Sequence, residues 1–574
     1  MVAKPHRLRL SARAMPVPVV VINLGQSVLK SLDDYTLAAE EIYRHYRQGR
    51  NVVAVTSAQG DQTDQLMAEA RRIGPAALGK GDTAKNLAEL LQLGERRSAA
   101  LLALALERIG APAFVRQARD LGLRATGDGE LTEMDVAQLE ADLKAHDIVV
   151  MPGYVGIGDN DRPVLLGRGG ADFTALYVAH RLGTRALLLK DIDGVYDRDP
   201  REAGDAPRKY ERIDWATARD VASVLIEPRA LDYAEANGLS FEVGRPGNPD
   251  YTTVGPETAS PAVMASPRKV RVAMMGLGIV GGGTYRRIKA HPDSFDLVRV
   301  LTRRPSKYVQ EGYRPEELTD DFDDLLAAEP DVFVDVAGSI EPALSRTRAM
   351  LERGVHVVSA NKQAIATGGQ ALLDLAERKG AKLRFSAAAG GGMPILEMME
   401  RERGRMTEVR ALLNGTTNFM LDRIHEGATY EEALAEAQAL GFAEADPTAD
   451  VGGADAAAKI RLLSLLGFGE EVDMSAITTE SIEGFDRDPG DGRWKRVARV
   501  WRDDVSGFHT SLDLRQLSTN AFLAQADGEE AHAVIRFEDG DEYRIRGKGA
   551  GRWPTTAAVM ADLFDVAHHV ARDA

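Results

Sequence analysis

The sequence predicts an α/β protein built from several domains. With 574 residues the chain is too long for a single hydrophobic core, and about two to four domains are expected. Two apolar runs, VPVVVINLG and VRVAMMGLG, each lead through a glycine turn into a helical stretch, the pattern of a strand feeding a helix. Between them, residues 256–268 are rich in proline and small side chains and indicate a linker. We therefore expect α/β structure on both sides of this linker.

The composition argues against several classes of function. Hydrophobic residues make up 44% and charged residues 28% of the chain, which is ordinary for a globular protein. The formal charge of −16 disfavours nucleic acid as a partner, because phosphate binding needs clustered Lys and Arg. The absence of cysteine excludes disulfides, thiolate metal sites and cysteine nucleophiles, and it fits a reducing compartment.

The apolar runs and the N-terminal residues predict where the protein acts. No apolar run reaches the length of a membrane span, so no membrane partner is expected. Residues 1–15 are basic but lack the apolar core of a secretory signal. We expect a disordered tail there, with a short transit peptide as the alternative, and a cytoplasmic location.

Residues 16–255 read as the first α/β domain, with a largely parallel sheet. Its most informative stretch is LLGRGGADFTALYVAHRLGTRALLLKDIDGVYDRDPR, residues 165–201. Gly167, Gly169 and Gly170 stand directly before a helical run, where backbone N–H groups and the helix dipole favour an anion. Close packing alone also explains many such turns, so this motif by itself does not decide the function.

The whole stretch resembles the amino-acid kinase family, and within it aspartate kinase, which implies a three-layer fold. Gly167 to Asp172 match the substrate-side loop of that family, and Asp191 to Arg201 match its nucleotide-side segment. The resemblance implies that an amino-acid substrate would be held by Glu95, Arg168 and Asp172.

The resemblance breaks at the first glycine turn. Where the family has a lysine and a glycine that meet the nucleotide phosphates, this chain has Ile22 and Leu24. Phosphoryl transfer depends on positioned positive charge, so we expect the domain to lack kinase activity. ATP and Mg²⁺ are expected as ligands only if Lys30 or Lys190 lies, in the folded protein, where the family's lysine would meet the phosphates. Members of this family that are fused to a second enzyme carry regulatory ACT domains after the kinase domain, and the short linker at 256–268 leaves no room for them.

Residues 269–390 read as a dinucleotide-binding domain of the Rossmann type. The glycines of Gly276-x-Gly278-x-x-Gly281 open a helix after an apolar strand, so a pyrophosphate can sit on the helix N-terminus together with Ile279 and Val280. The next strand ends in a basic turn, where the 2′-phosphate of NADP would be bound by Arg303, Arg304 and Lys307. The alternative is a merely exposed basic turn.

An acidic stretch, EADPTADVGGADAAAK at residues 444–459, carries the most chemistry. Asp455 and Lys459 are four residues apart on a predicted helix, so both side chains project from one face. A solvated surface ion pair is the alternative. A buried helical run follows, and burial would lower the pKa of the lysine toward the range useful for proton transfer.

This stretch resembles the catalytic segment of homoserine dehydrogenase, and further motifs of that family follow one another in order along most of the second half. They are the Ala-Asn-Lys triplet ending at Lys362, the Asn-Gly-Thr loop at Gly415 and Thr416, and the glycine-rich segment at 547–563. The resemblance implies a catalytic set of Lys459, Lys362 and Asp455, with substrate bound by Glu444, Asp450, Thr416 and Gly415.

The same resemblance implies the rest of the architecture. An α+β substrate and dimerisation domain is expected at 391–546, and a return to the cofactor domain at 547–574. Further cofactor contacts would come from Gly338, Ser339, the Ser359-Ala360-Asn361 turn and Gly549. A monovalent cation, Na⁺ or K⁺, would be bound by the backbone of Ser386, Ala389, Gly391 and Met393, although the family commonly has a glutamate where this chain has Ser386.

The predicted function is NADP-dependent interconversion of L-aspartate 4-semialdehyde and L-homoserine, with an inactive kinase-like first domain. One alternative is a fully bifunctional aspartate kinase and dehydrogenase. A second is a non-catalytic sensor of NADP and an amino acid, against which the intact acid and lysine set argues. The substrate is a small molecule, and a homodimer or homotetramer is expected.

Overall fold

The structure is a computed structural model, and it describes residues 17–573 except 74–81, 160, 202–205, 224, 249, 264–267, 488–489, 504 and 506. The tail expected at residues 1–15 lies outside the described residues. Within the described part, no helix is both long and apolar enough to cross a membrane.

The first domain is built on an eight-stranded sheet of order β11-β13-β12-β9-β1-β2-β6-β3, parallel except between β12 and β13. A four-stranded sheet of order β5-β4-β7-β8 lies beside it, and β10 pairs with β14. The elements are β1 (Val19–Leu24), α1 (Asp34–Arg47), β2 (Asn51–Thr56), α2 (Gln62–Ile73), α3 (Asp82–Arg108), β3 (Ala113–Val115), β4 (Arg124–Ala125), β5 (Leu131–Glu133), α4 (Val136–His146), β6 (Ile148–Pro152), β7 (Val155–Ile157), β8 (Pro163–Leu165), α5 (Gly170–Leu182), β9 (Arg185–Leu189), β10 (Arg208–Lys209), β11 (Arg212–Asp214), α6 (Trp215–Val221), α7 (Pro228–Ala236), β12 (Phe241–Gly244), β13 (Thr252–Gly255) and β14 (Ala262–Val263).

Helices cover both faces of this sheet. The β-branched strands β1 and β2 are buried on both sides, as central strands of parallel sheets are. One face packs against α1 and α3, and the other against α5 and α7. This is the predicted three-layer arrangement. The segment 256–268, expected as a linker, contributes the short strand β14 to the first domain, and its residues 264–267 lie outside the described residues.

Alternation along β1 decides which of its side chains face which layer of helices. Ile22 and Leu24 are fully buried on the face packed against α1 and α3. Asn23, on the opposite face, donates a hydrogen bond to Asp172 instead. Since asparagine is uncharged, the strand still supplies no cation.

The second domain has a six-stranded, all-parallel sheet of order β17-β16-β15-β18-β19-β20. This is the predicted dinucleotide-binding fold, with the glycine turn after the central strand β15. Its elements are β15 (Val270–Met275), α8 (Ile279–Lys289), β16 (Phe295–Leu301), α9 (Pro305–Gln310), β17 (Leu318–Thr319), α10 (Phe322–Ala327), β18 (Val332–Asp335), α11 (Ala343–Glu352), β19 (His356–Ser359), α12 (Lys362–Arg378) and β20 (Leu383–Arg384).

The third region is a six-stranded, mainly antiparallel sheet of order β22-β24-β23-β21-β25-β26, with helices that lead from it back to the second domain. Its elements are α13 (Ser386–Ala389), α14 (Ile395–Arg401), β21 (Met406–Ala411), α15 (Gly415–His425), α16 (Tyr430–Ala439), α17 (Thr448–Val451), α18 (Ala454–Leu463), β22 (Thr478–Thr479), β23 (Gly492–Asp503), β24 (Gly507–Ser518), β25 (Glu530–Phe537), β26 (Glu542–Lys548) and α19 (Arg552–Asp573).

Two packing relationships place the site. The C-terminal helix α19 packs on α8, and its Val559 and Leu563 share a core with Val272 and Met274 of β15. Helix α18 packs on α12 and on the third-region sheet, in a core shared with β18 and β19. The end of β19 and the start of α18 therefore meet at the crevice between the two regions, where open α/β sheets bind ligands.

Candidate functional site

The glycine turn after β15 is shaped for a close approach by a ligand. Gly276 has a positive φ of 100°, and a Cβ there would lie 2.9 Å from the carbonyl oxygen of Val336. A Cβ on Gly281 would lie 2.3 Å from the carbonyl oxygen of Gly276, whereas the space beside Gly278 is open. Helix α8 begins at Ile279 without a side-chain cap, so its first N–H groups face that open space. The turn fits a dinucleotide pyrophosphate.

The loops after β18 and β19 are tied together beside this turn. The amide of Asn361 donates to the carbonyl oxygen of Ser339 at 2.8 Å, and its Oδ1 caps helix α12 at the N–H of Ala364. The hydroxyl of Ser359 accepts from the N–H of Asn361 at 3.1 Å. Gly338 has open space around it. The predicted cofactor contacts from these two loops therefore lie together at one edge of the sheet, with Ala360 in the second loop.

The basic turn after β16 is exposed. Arg303 and Arg304 both face solvent, and within the described residues neither has a carboxylate partner. Lys307 lies 3.5 Å from the carboxylate of Glu311 and over the ring of Tyr308. The two arginines are thus available for an anionic ligand, while Lys307 already has a counter-charge.

The centre of the site is a carboxylate between two lysines. Asp455 Oδ2 lies 3.1 Å from Lys459 Nζ, one turn along α18, and Asp455 Oδ1 contacts the Nζ of Lys362 at the start of α12. Lys459 is 4% exposed and also donates to the carbonyl oxygen of Leu413 at 2.5 Å. The alternative of a solvated surface pair is therefore wrong: Gly453, with φ +97°, turns the chain inward before α18.

Burial and neighbouring charges set the protonation of this trio. Burial alone would raise the pKa of Asp455, but the ammonium groups of Lys459 and Lys362 outweigh it and hold that pKa well below its usual range. Burial lowers the pKa of Lys459 below that of an ordinary lysine, the Asp455 carboxylate opposes this shift, and the charge of Lys362 adds to it. A fixed anion thus faces a lysine that gives up its proton more readily than usual.

Asn414 and Thr416 connect the substrate loop to the acidic stretch. The amide of Asn414 donates to Asp450 Oδ1 at 2.6 Å and to Asp455 Oδ2 at 3.2 Å. The hydroxyl of Thr416 donates to the carbonyl oxygen of Phe442 at 2.6 Å and lies 3.4 Å from Asp450 Oδ2. Gly415 lies between them, at the N-terminus of α15. The structure therefore brings together three of the four residues predicted to bind substrate.

Glu444 is the fourth, and it stands apart. Its side chain is exposed on the loop between α16 and α17, and in the described residues its carboxylate contacts none of Asp450, Asp455 and Lys459. The carbonyl oxygen of Glu444 accepts a hydrogen bond from the side-chain amide of Gln438 at 3.1 Å. A role for Glu444 in binding the substrate stays a prediction.

Two buried cations on β23 were not foreseen from the sequence. Arg496 donates to the carbonyl oxygens of Asp450 and Val451 and lies 3.4 Å from the hydroxyl of Thr417, and burial lowers its pKa to about 10. Lys495, with no exposed surface, donates to Asn418 and Asp422 of α15. Together they fix the two segments that carry Asp450 and Thr416. Arg496 and Lys495 are adjacent charged residues on a strand, and nothing in that pattern indicated that both side chains would be buried.

The glycine loop after α13 lies next to the segment that returns to the cofactor domain. The N–H of Gly392 donates to the carbonyl oxygen of Lys548 at 2.8 Å, and a Cβ on Gly391 would lie 2.7 Å from the carbonyl of Gly549. The carbonyl oxygen of Ser386 faces the N–H of Gly390 at 3.4 Å. Binding of a cation by Ser386, Ala389, Gly391 and Met393 stays a prediction.

The first domain has its own cavity, of about 850 Å³. Lys190 reaches into it from the end of β9, with its Nζ 2.8 Å from both carboxylate oxygens of Asp172. Glu95 is buried there with one oxygen that makes no hydrogen bond, and burial raises its pKa to about 8. Arg168 is exposed at the mouth, 3.2 Å from Glu227. The three residues of the kinase-like set therefore surround one cavity.

Lys30, the other lysine considered as a substitute, is paired as well. Lys30 Nζ lies 3.3 Å from Asp191, which also faces Arg201 at 3.7 Å. Of the two lysines considered as substitutes, Lys190 lies closer to the glycine turn, because a Cβ on Gly25 would be 3.8 Å from its Nζ.

Comparison with known families agrees with this division of the chain. Residues 18–241 match the amino acid kinase family, residues 276–386 match the NAD-binding domain of homoserine dehydrogenase, and residues 394–564 match the homoserine dehydrogenase family.

Individual relatives match over about half of the chain. The homoserine dehydrogenase of Pseudomonas aeruginosa is 32% identical over 322 residues, which is 53% of this chain and 74% of the relative. That of Bacillus subtilis is 34% identical over 319 residues, 52% of this chain and 73% of the relative. The crystal structure of a homoserine dehydrogenase from Thiobacillus denitrificans aligns with a TM-score of 0.50 and 30% identity, over 53% of this chain and 75% of that one.

Proposed function

The chain belongs to the homoserine dehydrogenase family, and from this premise we propose that its second half interconverts L-aspartate 4-semialdehyde and L-homoserine with NADP(H) and that Lys459 moves the proton. The observation that carries the proposal is the contact of the buried Lys459 and Asp455 with the partly exposed Lys362, at the crevice beside the glycine turn. When bound, NADPH would supply the hydride, while residues of the chain orient the substrate and move the proton.

Each member of the trio has a distinct task. Lys459 donates a proton to the carbonyl oxygen of the aldehyde as that oxygen becomes an alkoxide, and it takes the proton back in the reverse direction. Asp455 fixes the position of the Lys459 ammonium group and favours its protonated form. Lys362, which is partly exposed at the crevice, adds a second positive charge beside the developing negative charge. Holding both reactants in one crevice supplies much of the remaining rate.

Orientation of the substrate falls to the acidic stretch and the α15 loop. Asp450 carries a carboxylate that suits the substrate ammonium, and Asn414 and Thr416 fix that carboxylate through hydrogen bonds. Glu444 contributes a second carboxylate once its loop closes over the substrate. In this account the exposed position of Glu444 is that of an open loop.

NADP is the proposed cofactor because of the charge at the end of β16. Arg303 and Arg304 are exposed and without carboxylate partners among the described residues. A guanidinium binds a phosphate with charge-assisted hydrogen bonds, whereas an NAD-specific site places an acidic residue there to accept from the ribose.

The first domain is proposed to lack aspartate kinase activity. No cation from β1 reaches the cavity, and the ammonium of Lys190 is already held by both oxygens of Asp172. One observation favours the alternative of a bifunctional enzyme: Lys190 lies beside the glycine turn at Gly25, where a phosphate-binding cation would be useful.

The experiment that tests the proposal is an NADPH oxidation assay with L-aspartate 4-semialdehyde as substrate and purified full-length protein. Turnover with homoserine as the product supports a dehydrogenase. Tight NADPH binding without turnover would support the sensor instead.

A further inference from the structure

Helix α1 of the first domain is packed into the dehydrogenase half. Arg287 of α8 makes a bidentate ion pair with Glu40 of α1, at 2.7 and 2.6 Å. Arg44 of α1 lies over the ring of Phe564 on α19. The first domain is therefore in direct contact with the cofactor domain as well as joined to it by the chain.

Arg47, the last residue of α1, lies at the centre of this contact. It is 5% exposed, and three carboxylates of the dehydrogenase half surround its guanidinium. Nη2 lies 2.7 Å from Asp562 and 2.9 Å from Asp565, both on α19, and Nε lies 3.3 Å from Glu397 on α14. These carboxylates outweigh the effect of burial and raise the pKa of Arg47, so it is a permanent cation.

The cation is needed because two of the three carboxylates, those of Asp562 and Glu397, are largely buried. Asp562 has no exposed surface. Burial raises the pKa of Glu397 to about 7 even though Arg47 lowers it, and Asp562 adds to the rise. Tyr43 and Arg44, also on α1, are further titratable groups that interact with the cluster. Two buried carboxylates side by side without a cation would be strongly unfavourable, so one of them would take up a proton.

Asp562 passes the effect on to the site. Its two oxygens accept from the backbone N–H of Ser386 at 2.9 Å and from the Ser386 hydroxyl at 2.8 Å, so it fixes the first residue of α13. The next residue, Ala387, packs in the core of the cofactor domain. Ala388 and Ala389 pack in the core that includes α18, the helix of Asp455 and Lys459. Helix α13 thus lies between the cofactor domain and the catalytic helix.

A second segment of the first domain covers the other end of this loop. A Cβ on Gly392 would lie 2.4 Å from the carbonyl oxygen of Ile109, and one on Gly547 would lie 3.0 Å from that of Gly110. The turn at the end of α3 therefore abuts the glycine loop directly. The first domain thus contacts residues 386–393 directly at Gly392 and, through Asp562, at Ser386.

We propose that Arg47 is a positioning residue of the dehydrogenase: it holds the Asp562 carboxylate that anchors Ser386, and through α13 it sets the position of the catalytic helix relative to the cofactor domain. The kinase-like domain would thus contribute to dehydrogenase activity by positioning the catalytic helix, whether or not it catalyses a reaction of its own. The inference rests on the dehydrogenase activity proposed above.

The test is a double-mutant cycle of Arg47→Ala and Ser386→Ala in the full-length chain. We expect Arg47→Ala to lower kcat by about tenfold to a hundredfold, as small misplacements of catalytic groups do, with a smaller change in KM for the semialdehyde. Ser386→Ala should lower kcat in the same direction. The double variant should be no slower than Arg47→Ala, since both changes break one chain of contacts.

Two controls separate positioning from general damage. Glu40→Gln breaks the other buried ion pair between the same two domains without touching Asp562, and kcat should stay near wild type. Millimolar guanidinium should restore turnover to Arg47→Ala by filling the space left by the side chain, whereas urea at the same concentration should not. Should Arg47→Ala fail to fold, Arg47→Lys keeps the charge but cannot bridge three carboxylates, and we expect it to fold with reduced kcat.

Wild-type kcat in Arg47→Ala would overturn the inference, as would wild-type kcat in Arg47→Lys where Arg47→Ala does not fold. A loss of activity that only follows the loss of folded protein, with kcat per folded molecule unchanged, would overturn it too. So would additive effects in the cycle, or an equal loss in Glu40→Gln. Failure of the proposed function is distinguishable, because it would show as absent turnover in the wild type.

Discussion

Asp455 is bound by Lys459 on its own helix and by Lys362 from the cofactor domain, and the Nζ of Lys459 lies 3.1 Å from its Oδ2. The two lysines come from different regions of the chain, so this one carboxylate joins the catalytic helix to the end of β19. Its charge also raises the pKa of Lys459 and so opposes the lowering caused by burial.

The rate of semialdehyde reduction should fall at alkaline pH with a midpoint below 10.5, the ordinary value for lysine. Lys459 must carry its proton to donate it, and burial lowers its pKa, so protonation is lost earlier than in an exposed lysine. The measurement is kcat against pH with saturating substrates. A rate that does not fall up to pH 10.5 would exclude Lys459 as the proton donor.

Asp455→Asn should move this alkaline limb to lower pH. The Asp455 carboxylate raises the pKa of Lys459, and without it the burial effect and the charge of Lys362 act unopposed. At neutral pH the rate should fall by about tenfold or more. Asp446→Asn is the matched control, because Asp446 belongs to the same acidic stretch but is exposed and bonded to Thr448. An unchanged limb in Asp455→Asn would contradict the assigned role.

Asp455 also predicts a stability change in acid. Its pKa is lower in the folded protein than in the unfolded chain, so its contribution is fully present above the unfolded value, about 3.9, and is lost as pH falls through the folded pKa. Asp455→Asn should therefore reduce the pH dependence of the free energy of unfolding below about pH 4. Chemical denaturation of both proteins over that range checks this, and identical slopes would contradict it.

Arg303→Ala should reduce the preference for NADPH over NADH, mainly by lowering the affinity for NADPH. A charge-assisted contact to phosphate is worth about 1.5–3 kcal/mol, or roughly tenfold to a hundredfold in affinity. Titration of both cofactors by fluorescence gives the two Kd values. Arg314→Ala, an exposed arginine further along the same region, serves as control. Equal use of both cofactors by the wild type would refute the assignment of Arg303.

Arg496→Met should lower activity even though Arg496 is not among the residues proposed to contact the substrate. The guanidinium donates hydrogen bonds to the carbonyl oxygens of Asp450 and Val451. Without these bonds each buried acceptor is left unpaired, which costs about 1–3 kcal/mol of stability. We expect a lower free energy of unfolding and a kcat/KM about tenfold to a hundredfold lower. Arg499→Met on the same strand removes a half-exposed partner of Glu408 and should change neither much. Wild-type kinetics in Arg496→Met would contradict the positioning role.

The first domain should not form aspartyl phosphate. Its cavity contains Lys190 already bound by Asp172 and a Glu95 whose pKa is raised to about 8 by burial. Hydroxylamine trapping with ATP, Mg²⁺ and aspartate measures the product directly. Turnover of about 1 s⁻¹ would be ordinary for an enzyme and would show that another lysine, Lys190 or Lys30, serves the phosphates after all. In that case replacing the lysine that serves them, by Lys190→Ala or Lys30→Ala, should abolish it.

Local patterns in the sequence were sufficient for the parts of the fold set by neighbouring residues. Strand β15, its glycine turn and helix α8 are visible as an apolar run, three glycines and an amphipathic stretch, and the Asp455 to Lys459 pair follows from helical spacing. The predicted fold class, with a kinase-like domain, a dinucleotide-binding domain and a dehydrogenase domain, is confirmed.

Contacts between distant segments could not be read in this way. Arg496 meets Asp450 only because β23 runs beneath α17, and Arg47 meets Asp562 across 515 residues of chain. Alternation along β1 buries Ile22 and turns Asn23 toward Asp172, a contact that the aligned motif did not indicate. Glu444 lies near the trio in sequence but on an exposed loop in space.

The central claim, that Lys459 is the proton donor, is tested most directly by Lys459→Met. Methionine keeps the packing of the buried side chain but has no proton to give. We expect the protein to stay folded and to bind NADPH as the wild type does, while kcat falls by about 10²–10⁴-fold and the alkaline limb of the pH profile disappears. Lys379→Met, at the exposed end of α12, should have no effect. Near-normal turnover in Lys459→Met, with an unchanged pH profile, would contradict the account.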